Sequence, residues 1–540
     1  MINRHKHYYL AFAFFSLFIK PCLAQKLVDV TRFGAKPDAK KTAAGWVGTD
    51  NSKAINDCAT HCRANNLTMY FPNGNYGVAS TVWLTNPNID NLRQASITVI
   101  GSNRGAFRGQ SYSANICVLN NFKLGKVVEV RKKDGLVKEP YIVPVLGISN
   151  GMQVHIEGIG IQGQNEKDLI CGIAIGNISQ MTSVKNCSIC NTYAGIVFPG
   201  LRPSPDKSVV EGNNDLLVVE QCTFDNAYNI VCGGTQPFAC VYRSNFFRGT
   251  KSVFTGKLIT NEYGQTRGSH KFSSNLFGTG PGAKGEEVVY FDLLFNEVTI
   301  DNCHFEPGYK PATPQILIRE YPKGGVSFFG FRLSFTNNMV NFANMSEGPD
   351  KYRPLFDTMV GNRMIIQGNH FQIGTATRLK AYGAVLIGNV FRLNGPHNLK
   401  IVDDKHPLVG SPGDIRRGLY DFNHFIRNDS DVTISLPNSS ATGKTALKQG
   451  VDYRVNKDEN AFEITKEGKK KIDKAKTNVV LISYNANDAA EVRFTAWGGN
   501  RLNPLHGWRS KDLTMIANKI VAKTDSGQFV EKELRIDTKQ

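Results

Sequence analysis

A short unit returns along the middle of this chain: Asn or Cys, any residue, then an apolar residue, each time after alternating apolar positions. It begins at Cys187, Cys222, Asn245, Asn275, Cys303, Asn338, Asn369 and Asn389. The gaps are 35, 23, 30, 28, 35, 31 and 20 residues. Repeats of this length, built of short strand-like runs broken by Gly and Asn, cannot bury an apolar side alone. They must stack on their neighbours, which defines a solenoid. Inward Asn or Cys side chains then continue the ladder inside, and the unequal gaps become loops of unequal length. Chance spacing is the competing account, and eight occurrences after strand-like alternation argue against it.

Length alone, 540 residues, would allow three compact domains or one long stack. Hydrophobic residues at 41% supply a large core and exclude general disorder. The one long apolar run is Tyr8 to Ile19, which excludes a multispan membrane protein. It follows the basic Arg4 and Lys6 and precedes Cys22-Leu23-Ala24, so residues 1–24 read as a secretory signal peptide cut after Ala24. Cleavage removes Arg4, Lys6 and Lys20 and no acid, which takes the formal charge from +18 to +15. Outside the membrane that excess selects an acidic polysaccharide over nucleic acid as the partner, with no membrane insertion after cleavage. Ten of the 11 cysteines remain. Cys187-x-x-Cys190 has no second Cys/His pair at metal-site spacing, so the cysteines read as small buried hydrophobes.

Near the start, KLVDVTRFGAK reads as a strand running into the Phe33-Gly34 turn. TDNSKAINDCATHCRANN reads as a helix capped by Asp50, with Ala54, Ile55, Cys58, Ala59 and Cys62 on one face. LTMYFPNGNYGVASTVWL reads as strand, Pro-x-Gly turn, strand. GAKPD, TDNSKAI and YFPNGNYGVAST together resemble the entry signature of the pectate-lyase-like proteins, over about residues 28 to 85. One departure is the insertion AKKTAAGWVG before the Asp. The resemblance implies an all-β chain, a right-handed parallel β-helix with an N-terminal capping helix. It implies little about the reaction, because the family includes lyases, hydrolases, transferases and phage tail proteins.

Residues 25–406 are expected to form the β-helix, and residues 407–540 a small β-rich capping element. There SDVTISLPN, GVDYRVNKDENAFEIT and TNVVLISYN read as hairpins, GKKKIDKAK as a solvated loop, and Leu513 to Val521 as a late strand.

No local motif is catalytic on its face: there is no G-x-S-x-G, Walker loop or H-E-x-x-H. The repeat register supplies a substitute. With the Asn or Cys and the following apolar residue inward, the residue between them points outward, as do positions two and four before. Those columns bring Glu220, Arg243, Lys271, Asp301 and His304 together on one expected face. On a uronate polymer such a cluster suits β-elimination: a cation, or a Ca2+ held by carboxylates, neutralises the sugar carboxylate while a base takes the C5 proton. The catalytic candidates are Lys271, Arg243, His270, His304 and Arg267; Glu220, Asp301, Arg248 and His370 are candidates for binding the polymer. Two alternatives remain open. A glycoside hydrolase would need paired carboxylates, for which Asp292, Asp301, Glu306, Glu286 and Glu287 are the pool. A non-catalytic carbohydrate-binding solenoid would use its cationic face and aromatic rings alone. For the charged columns the bland account is solvated cross-strand pairing, Glu220 with Arg243 or Lys271 with Asp301.

Overall fold

The computed structural model describes residues 26–85, 96–102 and, with short breaks, 113–306. Beyond these it describes the strands of the later coils to Leu393, parts of 400–484, and the strands between 514 and 534. The chain winds as a right-handed parallel β-helix whose coils present three faces. The first face is a sheet of 13 parallel strands, from Leu27–Asp29 to Thr514–Ile516. The second and third faces are one 21-stranded sheet folded lengthwise. Ser188–Cys190 lies on the second face and Ala194–Phe198 on the third, while Thr223–Cys232 and Phe246–Thr255 run through both.

One backbone device turns the chain from the first face to the second. The residue just before each ladder position takes the left-handed conformation, with φ between 50° and 69° at Gly158, Asn186, Gln221, Ser244, Ser274, Asn302, Asn337, Gly368 and Gly388. Only Gly adopts this without cost, and Asn comes next. The ladder residue then points inward and is buried. Asn245 accepts the Cys222 N–H at 2.8 Å, Asn275 accepts the Asn245 N–H at 2.9 Å, and Asn338 accepts the Cys303 N–H at 2.9 Å. The same amides donate back, Asn245 Nδ2 to the Val219 carbonyl at 3.0 Å and Asn275 Nδ2 to the Tyr242 carbonyl at 2.9 Å. Each coil thus satisfies polar groups of its neighbour that would otherwise be stranded in the core.

The apolar residue that ends each unit fills the core as expected from the repeat. Phe224, Phe247, Phe277 and Phe305 are fully buried and stack at centroid distances of 4.9, 5.6 and 4.6 Å. The helix Ser52–Asn65 covers the N-terminal end, with Ile55, Cys58, Ala59 and Cys62 buried as the periodicity predicts. The Asp50 carboxylate accepts the N–H groups of Ser52 at 2.9 Å and Ala79 at 3.0 Å, which pins the start of that helix to the first coil. The ten cysteines from Cys58 to Cys303 are buried and form no disulfide among the described residues.

The C-terminal region departs from the expected boundary. Lys400–Asp403, ahead of residue 407, already pairs with Val479–Ser483. Thr514–Ile516 and Asn518–Lys523 return to pair in parallel with Ala384–Ile387 and Val390–Leu393, adding a coil to the helix. Phe529–Leu534 then pairs antiparallel and ends that sheet. The intervening strands enclose a separate core of Val432, Ile434, Phe462, Val480 and Tyr484. The hairpin Tyr453–Asn456 with Ala461–Ile464 forms as read. The lysine-rich run is a helix instead of a loop, Lys466–Lys474, because Thr465 caps the Gly468 N–H at 3.1 Å and Ile472 is buried one turn later. Residues 1–25 lie outside the described residues. No helix among the described residues is long and apolar enough to cross a membrane.

Candidate functional site

The left-handed corner separates residues that the repeat register had placed together. Glu220, Arg243, Lys271 and Asp301 lie on the first face, whereas His304, Arg248 and His370 lie on the second. On the first face, Arg243 forms a two-point ion pair with Glu220, Nε to Oε1 at 3.0 Å and Nη2 to Oε2 at 3.0 Å. Lys185 approaches the same carboxylate at 3.7 Å. The hydrogen bond from Arg243, aided by both positive charges, holds the Glu220 carboxyl below its ordinary range. The expected contact of Lys271 with Asp301 does not form. Asp301 accepts instead from Thr336 Oγ1 at 2.7 Å and Asn337 Nδ2 at 3.1 Å. Lys271 is exposed between Val241 and Thr299, with no ion pair among the described residues.

His270 is a correction. Strand alternation with the outward Lys271 turns it into the core, 2% exposed, against Phe198, Phe254 and Tyr242. Burial pushes its pKa down to about 3, and its Nδ1 lies 3.2 Å from the Tyr242 hydroxyl. It cannot meet a polymer from there. His304 is half-buried between Leu276 and Met339, its Nε2 without a partner among the described residues. His370 is exposed between Met339 and Val390. Arg267, Glu286 and Glu287 lie outside the described residues. Of the other carboxylates in the pool, Asp292 is on the third face, Glu306 on the second and Asp301 on the first, so these three do not converge.

A different group of residues does converge, where the second face bends into the third. Asp225 and Arg248 are register partners on adjacent strands and pair at 2.8 Å, Nε to Oδ1. Beyond Arg248 the strand carries Thr250 and Lys251 around the bend. Over them hangs the loop of residues 163–169, three coils earlier. The Asn165 side chain tightens that loop by accepting the Lys167 N–H at 2.8 Å, and Gln164 Oε1 fastens it by accepting the Trp46 N–H at 3.2 Å. This delivers Glu166 onto the bend, where its carboxylate accepts Thr250 Oγ1 at 2.5 Å. Burial, reinforced by the charge of Asp225, raises the Glu166 carboxyl above its ordinary value against the opposing pull of Thr250, Arg248 and Lys251. Two carboxylates therefore share one site in different surroundings, one desolvated and one salt-bridged. Such a pair divides into a proton donor and an anion.

Arg248 was legible as a binding candidate. Its partner was not named, although Asp225 occupies the same place immediately after its own repeat unit, and pairing along that column would have found it. Glu166 had no comparable signal, since nothing local says how far a loop reaches. Among the described residues no group of three or more His, Cys, Asp or Glu is placed to hold a metal ion.

These features define a right-handed parallel β-helix protein with a carboxylate pair at one lengthwise bend. No protein-family model and no curated protein matches the chain. Solved structures do resemble it. One is PfbA, a surface adhesin of Streptococcus pneumoniae, at 14% identity and a TM-score of 0.42, covering 71% of this chain and 95% of that one. Another is an exopolygalacturonase from Thermotoga maritima, at 11% identity and 0.29, covering 67% and 92%. A third is a tailspike mutant of E. coli bacteriophage HK620 in complex with a pentasaccharide, at 13% and 0.33, covering 70% and 66%. The fold is fixed by the strand pairing above, and function has to be read from the residues.

Proposed function

We propose that the chain is an exported enzyme that cleaves an acidic polysaccharide by glycoside hydrolysis at the bend between the second and third faces. The observation that carries this is the desolvated Glu166 carboxyl beside the Asp225–Arg248 ion pair. Glu166, protonated, gives its proton to the leaving glycosidic oxygen. Asp225, as the second carboxylate, takes a proton from the water whose oxygen attacks the anomeric carbon, and the hydroxyl so delivered completes the cleavage. Arg248 holds the Asp225 carboxylate in place at 2.8 Å and presents positive charge toward an acidic chain. Because the acid must be protonated, activity falls as pH rises through the elevated Glu166 value.

Elimination retains one favourable observation, the exposed Lys271 on the first face, which has no ion pair among the described residues. Incubation with pectate, alginate, hyaluronan, chondroitin sulfate and glucuronan separates the readings. Hydrolysis gives new reducing ends without ultraviolet absorbance, and Glu166→Gln or Asp225→Asn lowers the rate by about 10²–10⁴-fold. Unsaturated, absorbing products abolished by Lys271→Ala would replace hydrolysis with elimination. No shortening of any polymer would leave a binding solenoid.

A further inference from the structure

A second feature stands apart from the carboxylate pair. The hairpin of Lys126–Lys132 and Gly135–Tyr141 leaves the coil just before the third-face strand Val143–Ser149. Alternation turns Lys132 inward, where its ammonium is buried against Glu139 and donates to the Thr260 carbonyl at 2.6 Å. Glu139 in turn accepts the Thr260 N–H at 3.0 Å. This internal clamp fastens the hairpin to the loop around Thr260. The same alternation turns Arg131 and Lys133 outward into a cleft of about 680 Å³ that also takes in Lys207, Ser208 and Tyr263.

Three separate segments are tied together at its walls. The Lys133 N–H donates to the Glu262 carbonyl at 2.9 Å, and Ser208 Oγ donates to the Arg131 carbonyl at 2.5 Å. Arg131, Lys133 and Lys207 are exposed and form no ion pair among the described residues. Of the acids on the rim, Asp206 accepts from Ser204 Oγ at 2.5 Å. Tyr263 is 54% exposed, with the Lys133 ammonium 5.8 Å from its ring centre. Cations carried on a tied backbone beside an exposed ring suit an oxyanion, carboxylate or sulfate, borne on a ring with an apolar face, which describes an acidic sugar. Preorganisation of the walls reduces the ordering cost of binding it.

We propose that this cleft is a binding site for one anionic sugar unit, with Arg131 and Lys207 taking the charged group and Tyr263 the face of the sugar. The site deepens the reading above and rests on it for the polymer that carries the unit.

Titration calorimetry of the full chain tests it, with three tetrasaccharides: a galacturonate, its methyl ester, and a chondroitin sulfate. At least one acidic tetrasaccharide should bind, at least tenfold more tightly than the ester, and the tighter of the two identifies carboxylate or sulfate as the anion. Arg131→Gln with Lys207→Gln should weaken the acidic ligand at least tenfold and leave the ester and the melting temperature unchanged. Tyr263→Ala should weaken acid and ester alike. Wild-type affinity in the double variant, equal binding of acid and ester, or no binding of either acid overturns the site. If Glu166→Gln still cleaves while the cleft variants lose binding, the hydrolysis reading falls and the cleft stands. If Glu166→Gln is inactive and the cleft variants bind normally, the cleft alone falls.

Discussion

His270 shows how one position on a strand decides between chemistry and core. Its neighbour Lys271 meets solvent, so His270 must meet Phe254 and Tyr242. A histidine kept neutral in the fold but free to protonate when unfolded makes stability depend on pH. With a folded value of about 3 against 6.5 unfolded, its contribution is complete above pH 6.5 and is lost as pH falls toward 3. Urea unfolding at pH 7.5, 5.5 and 4.5 should show a loss of about 1.4 kcal/mol per unit below 6.5 from this group. His270→Leu should remove that increment from the slope, whatever it does to stability at pH 7.5. An identical slope in the variant would mean that the acid sensitivity arises elsewhere.

At the scale of the element, the ladder and the corner behave as one piece. Asn275 joins three coils: it accepts from Asn245, donates to Tyr242, and its own N–H meets Cys303 Sγ at 3.4 Å. Asn275→Ala strands the Asn245 N–H and the Tyr242 carbonyl in the core, so a loss of about 3 kcal/mol in chemical denaturation is expected. Asn275→Cys should lose less, because Cys222 and Cys303 already accept a ladder N–H at 3.4 Å. An Ala variant as stable as the parent would show that the ladder is not what holds the coils.

The ladder was legible in the sequence because its residues are chemically unlike the apolar positions around them. So was the inward column of Phe224, Phe247, Phe277 and Phe305. The corner was not legible, since Gln221, Ser244 and Asn302 share a backbone angle but no side-chain signature. Missing it merged two faces into one, and that is why His304 was expected beside Asp301. The candidate site fared similarly. Arg248 stood in a readable column, whereas Glu166 arrives from a loop three coils away, a contact that no local pattern encodes.

For the whole molecule, the two ends are closed differently. The N-terminal helix Ser52–Asn65 lies over one end, and the returning strands Thr514–Ile516 and Asn518–Lys523 extend the other before Phe529–Leu534 ends it. Truncation after residue 399 removes that return and leaves Ala384–Ile387 and Val390–Leu393 as bare parallel edges. Such edges template pairing with other chains. The truncated protein is expected to elute as aggregate in size-exclusion chromatography where the full chain does not. A truncated chain that stays monomeric with an unchanged melting temperature would show that the return strands are dispensable.

The left-handed corner also divides the coil into a part that must keep its length and a part that is free to change it. Between the first and second faces there is room for two residues, the turn and its ladder partner, and one more would flip every later side chain of that strand to the other surface. Elsewhere around the coil no such limit applies: Gln162 to Ile170 lengthens the passage from the second face to the third, Phe198 to Val218 lengthens the return to the first, and the variation from 20 to 35 residues between repeats is absorbed at these two places. New recognition surfaces can therefore be acquired at those two places by insertion, coil by coil, while the frame that carries them is inherited unaltered.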